Sequence, residues 1–166
     1  MTEGTGTGDV VVLERMFDAP VGLVWQMWTD PDQFKAWYGP AGATIPVVEM
    51  DVRIGGSRRV CMEVQGQGGP MRMWFAGQYQ EVVEPRRLVY SESMADEDGN
   101  LLSPSELGMP EGHPTATEVR VELEEIDGLT KLVLTHLGIP AGSAGAAGWA
   151  MALDELAAHL EVRMAR

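Results

Sequence analysis

The sequence is poor in the residues that would fix it to a membrane or staple it covalently. It contains one cysteine, Cys61, so the chain cannot form an internal disulfide. No apolar run approaches the ~18 consecutive residues of a membrane span, because charged residues interrupt each run. Residues 1–9 are rich in glycine and threonine, unlike a secretory leader. We therefore expect an unbridged cytoplasmic protein that does not contact a membrane.

Basic residues are also scarce. Twelve Lys and Arg stand against 25 Asp and Glu, a net charge of −13 that repels phosphate backbones. The three histidines, His113, His136 and His159, lack the spacing to cysteine or carboxylate that a metal site requires. The glycine-rich stretch 66–69 lacks the Lys-Ser/Thr of a phosphate loop. The sequence thus predicts no nucleic-acid partner, no metal and no cofactor.

Enough apolar material is present for one substantial core. The chain has 166 residues, of which 45% are hydrophobic, and this suits a single domain. We expect residues 10–166 to form that domain and residues 1–9 to be disordered or extended. No feature of the sequence demands an oligomer, so a monomer and a homodimer both remain open.

The first third of the chain predicts a strand and two short helices. Apolar residues alternate over residues 9–18, which is typical of a strand. Val24 and Trp28 recur at helical spacing, and Pro20 is expected as the first residue of that helix. Asp30-Pro31 is a typical N-cap and first residue, so a second helix is expected to follow directly.

The rest of the chain predicts a meander and a long helix. The interval 95–113 has neither period and is expected to be a loop, either one that gates a cavity or a tolerated surface insertion. The helix is expected over 144–165, with an apolar stripe of Trp149, Leu153, Leu156 and Leu160 that must be buried against the sheet. Period-two patterns separated by turn signals predict six strands over 43–53, 57–65, 71–83, 87–94, 115–126 and 129–137.

This order of elements is an α+β arrangement and matches the helix-grip fold: strand, two short helices, six-stranded antiparallel meander, long C-terminal helix. A series of motifs extends the match. They are Arg15 to Pro20, Val24 to Pro31, Trp37 to Pro40, Asp51 to Gly56, Gly77 to Val82, Pro85 to Tyr90, Thr130 to His136, and Gly148-Trp149.

In these motifs the chain resembles the family related to activators of the heat-shock protein 90 ATPase. That family is a branch of the START-related SRPBCC superfamily, which includes polyketide cyclases and dehydrases. The resemblance implies a curved sheet wrapped around the long helix and a cavity between them. It does not choose among ligand carriers, cyclases, resistance proteins and chaperone activators, because a shared fold does not fix the function.

Three inward polar residues are weak candidates for catalysis. His136 follows Leu134 on one strand face and is either a base or a hydrogen-bonded core histidine. Arg58 is expected either to hold a carboxylate or phenolate ligand or to pair with Asp51, Glu81 or another acidic residue. Tyr79 has the same two interpretations.

The expected cavity lining is aromatic and rich in methionine, which suits a flat hydrophobic compound. Cys61 lies on the opposite register from Met62 and is expected to be an inert packed thiol. The predicted lining consists of Trp37, Tyr38, Arg58, Met62, Met73, Trp74, Tyr79, His136, Trp149 and Leu153.

The function favoured by the sequence is non-catalytic binding of a small hydrophobic or aromatic molecule in this cavity. Two alternatives stay open. One is a cyclase, aromatase or hydrolase-like enzyme that uses polar residues of the same cavity. The other is a regulator of a chaperone ATPase.

Overall fold

The computed structural model describes residues 9–39, 42–103, 116–139 and 142–165. Within these residues seven strands form one antiparallel sheet in the order β1-β7-β6-β5-β4-β3-β2. The first strand therefore pairs with the last, and the others follow as a meander. The strands are β1 Val10–Phe17, β2 Thr44–Met50, β3 Ser57–Gly66, β4 Gly69–Val83, β5 Arg87–Ala95, β6 Ala116–Ile126 and β7 Leu129–Leu137.

The helices are α1 Val21–Thr29, α2 Pro31–Phe34 and α3 Ala144–Met164. Pro20 precedes α1 with an extended backbone, so it is the N-cap and not the first helical residue that the sequence suggested. Asp30 caps α2 as predicted, since its side chain accepts a hydrogen bond from the backbone N–H of Asp32 at 2.9 Å. None of the helices in the described ranges is long and apolar enough to cross a membrane.

The long helix α3 buries the stripe that the sequence predicted. Trp149, Leu153, Leu156 and Leu160 are all at most 5% exposed. They pack in one core with α1, α2 and one face of the sheet. The sheet residues of this core include Phe17, Val60, Leu88, Val119, Val121, Leu123, Leu132 and Leu134. The predicted α+β helix grip is therefore confirmed.

Strand boundaries differ from the predictions by a few residues. Strand β2 ends at Met50 rather than at residue 53, because residues 51–56 close a turn in which Arg53 and Gly56 donate backbone hydrogen bonds to Asp51 and Arg53. Strand β4 begins two residues early, since Gly66 and Gly69 pair across a tight turn. In the predicted loop 95–113, Ala95 pairs with Leu101. The part of that loop from residue 104 lies outside the described residues.

The buried stripe of α3 makes a testable claim about stability. Leu153 is 0% exposed and Met151, on the same helix, is 41% exposed. We expect Leu153→Ala to lower the free energy of unfolding by about 2–5 kcal/mol, because a fully buried leucine leaves a cavity. Met151→Ala is the control and should cost less than about 1 kcal/mol. Urea denaturation measures both, and equal losses would contradict the packing of α3.

Candidate functional site

A buried ion pair crosses the inner face of the sheet. The Nη1 of Arg58 on β3 donates to Oε2 of Glu92 on β5 at 3.2 Å. The two side chains are only 2% and 8% exposed. Burying either charge alone would cost several kcal/mol. Each side chain is therefore held in the interior by the other.

The pair spans strand β4, and a glycine of that strand lies between its members in the register. Arg58 is paired with Gly77 in the β3–β4 register. The β4–β5 register, Ala76 with Ser93 and onward, sets Gly77 opposite Glu92. A side chain at this position has no room, since a Cβ on Gly77 would lie 1.8 Å from a backbone oxygen of β5. Gly77 thus lets the backbones of β4 and β5 approach closely beside the ion pair.

Aromatic rings surround the guanidinium. The Cζ of Arg58 lies 4.0 Å from the ring centroid of Tyr90 and 5.1 Å from that of Phe34. Contacts of this kind attract a cation to the face of a ring. Tyr79 packs edge-on against Tyr90, with 5.9 Å between ring centroids. The charge is therefore enclosed by side chains from β3, β4, β5 and α2.

Three hydrogen-bond donors in this enclosure have no partner among the described residues. They are Nη2 of Arg58 and the hydroxyl groups of Tyr79 and Tyr90. Each side chain is at most 2% exposed. A buried donor without a partner costs about 1–3 kcal/mol. Each buried polar group without a partner in a folded protein therefore needs a specific explanation.

The phenols near Arg58 stay protonated at neutral pH. Burial raises the pKa of Tyr90 well above 10, and the Glu92 carboxylate adds to the rise while Arg58 opposes it. Burial likewise raises the pKa of Tyr79 and of Tyr38, and in both the adjacent Arg58 guanidinium opposes the rise through its charge and through an interaction of hydrogen-bond type, although no bond between Nη2 and the Tyr79 hydroxyl meets hydrogen-bond geometry. Burial by itself would lower the pKa of Arg58, but Tyr90 and Glu92 outweigh it and raise the pKa. The site therefore presents neutral phenols and a charged guanidinium.

A chain of hydrogen bonds continues from Glu92 to the long helix. Thr117 on β6 donates its hydroxyl to the backbone oxygen of Glu92 at 3.1 Å and lies 2.8 Å from Nε2 of His136 on β7. The indole Nε1 of Trp149 donates to Nδ1 of His136 at 2.8 Å. Since Nδ1 is an acceptor, a neutral ring carries its proton on Nε2 and donates it to Thr117.

This arrangement makes His136 a positioning residue for Trp149. Both ring nitrogens of His136 are engaged, so neither is free to take a proton from a ligand. Burial lowers the pKa of His136, although Glu92 partly opposes the change. The imidazole is thus neutral near pH 7 and fixes the indole of Trp149 to the sheet.

An aromatic cluster lies beside the ion pair. The ring of Trp149 stacks on Trp28 at 5.9 Å and meets the edge of Tyr38 at 5.7 Å between centroids. Tyr38 stacks in turn on Phe34 at 4.4 Å. Trp37 is held by a hydrogen bond of 3.0 Å from its Nε1 to a backbone oxygen of α1. Phe34, which also contacts Arg58, connects the cluster to the unpartnered donors.

Most of the predicted lining falls in this core, but Trp74 does not. Met62, Met73 and Leu153 pack in the main core. Trp74 lies opposite Cys61 in the register and forms a separate small cluster with it and Ala95. Met73 and Trp74 are successive residues of one strand, and successive side chains point to opposite faces. We therefore correct the sequence prediction and leave Trp74 out of the site.

The partner of Arg58 is also different from the two residues named first. Asp51 pairs with Arg53 at 2.8 Å, and Glu81 pairs with Arg87 at 3.1 Å. Both carboxylates are about half exposed. A register shift between Tyr79 and Glu81 turns Glu81 outward while Tyr79 stays buried. The broader expectation, that Arg58 pairs with some acidic residue, is confirmed by Glu92.

Sequence reasoning missed Glu92, Tyr90, Phe34 and Thr117 as site residues. The signal for Glu92 was present, because Leu88, Tyr90 and Glu92 alternate along one strand and so share a face. A carboxylate in register with two core residues predicts a buried partner of opposite charge. No group of three or more possible metal ligands occurs in the described parts of the chain.

Comparisons with known proteins agree with the fold. The family model described as "Activator of Hsp90 ATPase homolog 1-like protein" matches residues 18–161. None of the curated proteins matches the chain.

Among solved structures, a protein from Chromobacterium violaceum is 24% identical, with a TM-score of 0.74, and the match covers 92% of this chain and 98% of that one. A protein from Nitrosomonas europaea is 21% identical, with a TM-score of 0.72 and coverage of 96% and 98%. The AHSA1 protein from Silicibacter pomeroyi is 22% identical, with a TM-score of 0.70 and coverage of 93% and 99%. At these identities the likeness shows the shared fold.

Removing one member of the buried ion pair should be costly. We expect Arg58→Met to lower the free energy of unfolding by about 3–5 kcal/mol, because it leaves the Glu92 carboxylate buried and unpaired. The double variant Arg58→Met/Glu92→Met should recover most of this loss. Urea denaturation is the measurement, and the exposed Arg72, which bonds Glu63 at 3.0 Å, is the control. If Arg72→Met costs as much as Arg58→Met, the account of the interior fails.

The hydrogen bonds of His136 predict its tautomer and its titration. We expect nitrogen-15 NMR spectra at neutral pH to show the proton on Nε2, and the titration midpoint to lie below 6.5. Because the folded pKa is below the unfolded value, the unfolded chain binds this proton first as the pH falls. Stability should therefore decrease from about pH 6.5 down to the folded pKa. A proton on Nδ1 would contradict the Trp149 contact.

Proposed function

This chain belongs to the family of Activator of Hsp90 ATPase homolog 1-like proteins, and on that premise we propose that it binds a small hydrophobic or aromatic molecule inside the helix grip. The ligand occupies the interior between α3 and the sheet. Its flat apolar part contacts the aromatic cluster and its polar part contacts Arg58. The protein acts by binding and not by catalysis.

The observation that carries this proposal is a group of buried donors around Arg58 that have no partner among the described residues, Nη2 of Arg58 and the hydroxyls of Tyr79 and Tyr90. Nε1 of Trp28, in the adjoining aromatic cluster, is a fourth such donor. Binding pockets are mostly apolar with a few polar groups that orient the ligand. A ligand that accepts these hydrogen bonds offsets the free energy that unpartnered buried donors would lose. In a purely structural core the same unpartnered donors would lower the free energy of unfolding with nothing to offset the loss.

The apolar part of the site supports an aromatic ligand. Trp149 and Tyr38 meet edge to face, and Met62, which is 9% exposed, packs in the same core. Aromatic rings bind other rings well in offset or edge-on geometry, and methionine adapts to irregular shapes. A flat compound of two or three rings has matching chemistry.

Binding is better supported than catalysis because of the state of His136. A general base needs a free nitrogen within reach of the proton that it removes. Both nitrogens of His136 are engaged, one by Thr117 and one by Trp149. Arg58 and the neutral phenols donate hydrogen bonds and do not accept a proton. These groups suit recognition of a ligand.

Calorimetric titration with neutral naphthalene derivatives tests the proposal. We expect saturable binding at one site. Trp149→Phe should weaken the affinity severalfold, up to about tenfold, since the smaller ring loses part of the contact. Trp74→Phe is the matched control, because Trp74 belongs to the separate cluster with Cys61. Its affinity should equal that of the unmodified chain. Binding that depends on Trp74 and not on Trp149 would contradict the proposed location.

A further inference from the structure

We propose that the ligand presents an uncharged acceptor oxygen, such as a ketone, quinone or amide carbonyl, to Arg58, Tyr79 and Tyr90, and that the site rejects carboxylates. This inference rests on the proposed function and names the class of compound that fits it. It departs from the simpler expectation that an inward arginine selects an anion.

Each of the three unpartnered groups in the described site can donate a hydrogen bond, and only the two phenol oxygens could also accept one, so an acceptor atom on the ligand satisfies more of them. The guanidinium of Arg58 has five N–H donors and no acceptor. The pKa values of Tyr79 and Tyr90 are raised by burial, so at neutral pH both phenols keep the proton that they can donate. A carbonyl oxygen has two lone pairs and can accept from two of these three groups.

The charge of the site is already balanced, and this disfavours an anion. Nη1 of Arg58 already donates a hydrogen bond to Glu92, and both charges are buried together. The other buried titratable side chains in the described residues are Cys61, Tyr79, Tyr90 and His136. Burial raises the pKa of the thiol and of both phenols and lowers the pKa of the imidazole, so none of the four carries a charge near pH 7. A ligand carboxylate would add a second negative charge beside Glu92 in a medium of low dielectric constant. A neutral carbonyl adds no net charge.

The donors and the aromatic cluster are joined in space, so one molecule can reach both. Phe34 lies 5.1 Å from the Cζ of Arg58 and stacks at 4.4 Å on Tyr38. Tyr38 contacts Trp149 at 5.7 Å. These ring distances correspond to direct packing. An aromatic ketone carries its acceptor oxygen only two bonds from the ring, which suits this short path.

Three naphthalenes of nearly equal shape test the inference: acetylnaphthalene, the naphthoate anion and isopropylnaphthalene, all substituted at the same position. Calorimetry at pH 7 measures their affinities for the full chain. We expect acetylnaphthalene to bind about tenfold more tightly than either of the others, since it alone satisfies the donors without adding charge. Naphthoate binding as tightly as the ketone would overturn the inference.

The series also separates this inference from the proposed function. If the ketone and isopropylnaphthalene bind with equal affinity, the inference fails and the proposed apolar site stands. If none of the three binds, the proposed function itself fails.

Two variants locate the effect. Glu92→Gln removes the competing charge, so naphthoate should gain at least tenfold in affinity relative to the ketone. Tyr79→Phe removes one donor and no charge. It should weaken the ketone severalfold and leave isopropylnaphthalene unchanged, a result that does not depend on whether Glu92→Gln folds. Trp74→Phe is the control and should keep the preference for the ketone. If Tyr79→Phe also keeps that preference in full, the assignment of the donors is overturned.

Discussion

The interior of this protein depends on keeping one arginine and one glutamate together out of water. Arg58 and Glu92 come from strands that are not neighbours, and Gly77 of the strand between them lies opposite both in the register. Rings of Phe34 and Tyr90 pack on the guanidinium, so the charged group is itself part of the packed core. A pair of this kind adds little net stability, because desolvation offsets its attraction. Its value lies in the donors that it holds in place.

The same constraint links the sheet to the long helix. Through Thr117 the backbone of Glu92 is tied to His136, and His136 fixes the indole of Trp149 on α3. The apolar stripe of α3 supplies most of the free energy that holds the helix on the sheet, since each buried leucine contributes about 1.5–3 kcal/mol. The polar chain sets the orientation of the ring at one end of that stripe. Apolar packing thus holds the helix and hydrogen bonds orient its site residue.

The fold could be predicted from the sequence further than the site could. Strand and helix periods are local, so the stripe of α3 and the alternation of β7 are visible in single segments. The partner of Arg58 depends on the order of the strands, since Glu92 lies on β5 with β4 between it and β3, and no local period encodes that order. Trp74 was predicted to face inward because its residue type suits a pocket. It directly follows Met73 on one strand, however, and successive side chains point to opposite faces, so Trp74 lies on the other side of the sheet. The error arose because the type of residue was considered without its position in the strand register.

We propose above all that a small aromatic molecule binds inside the helix grip with its polar atom at the buried donors. A crystal structure of the chain with acetylnaphthalene tests this most directly. We predict its ring beside Tyr38 and Trp149, and its carbonyl oxygen within about 3.2 Å of Nη2 of Arg58 or of the hydroxyl of Tyr79 or Tyr90. A ligand bound outside the core against Trp74, or one whose carbonyl oxygen makes no contact with these donors, would contradict the account.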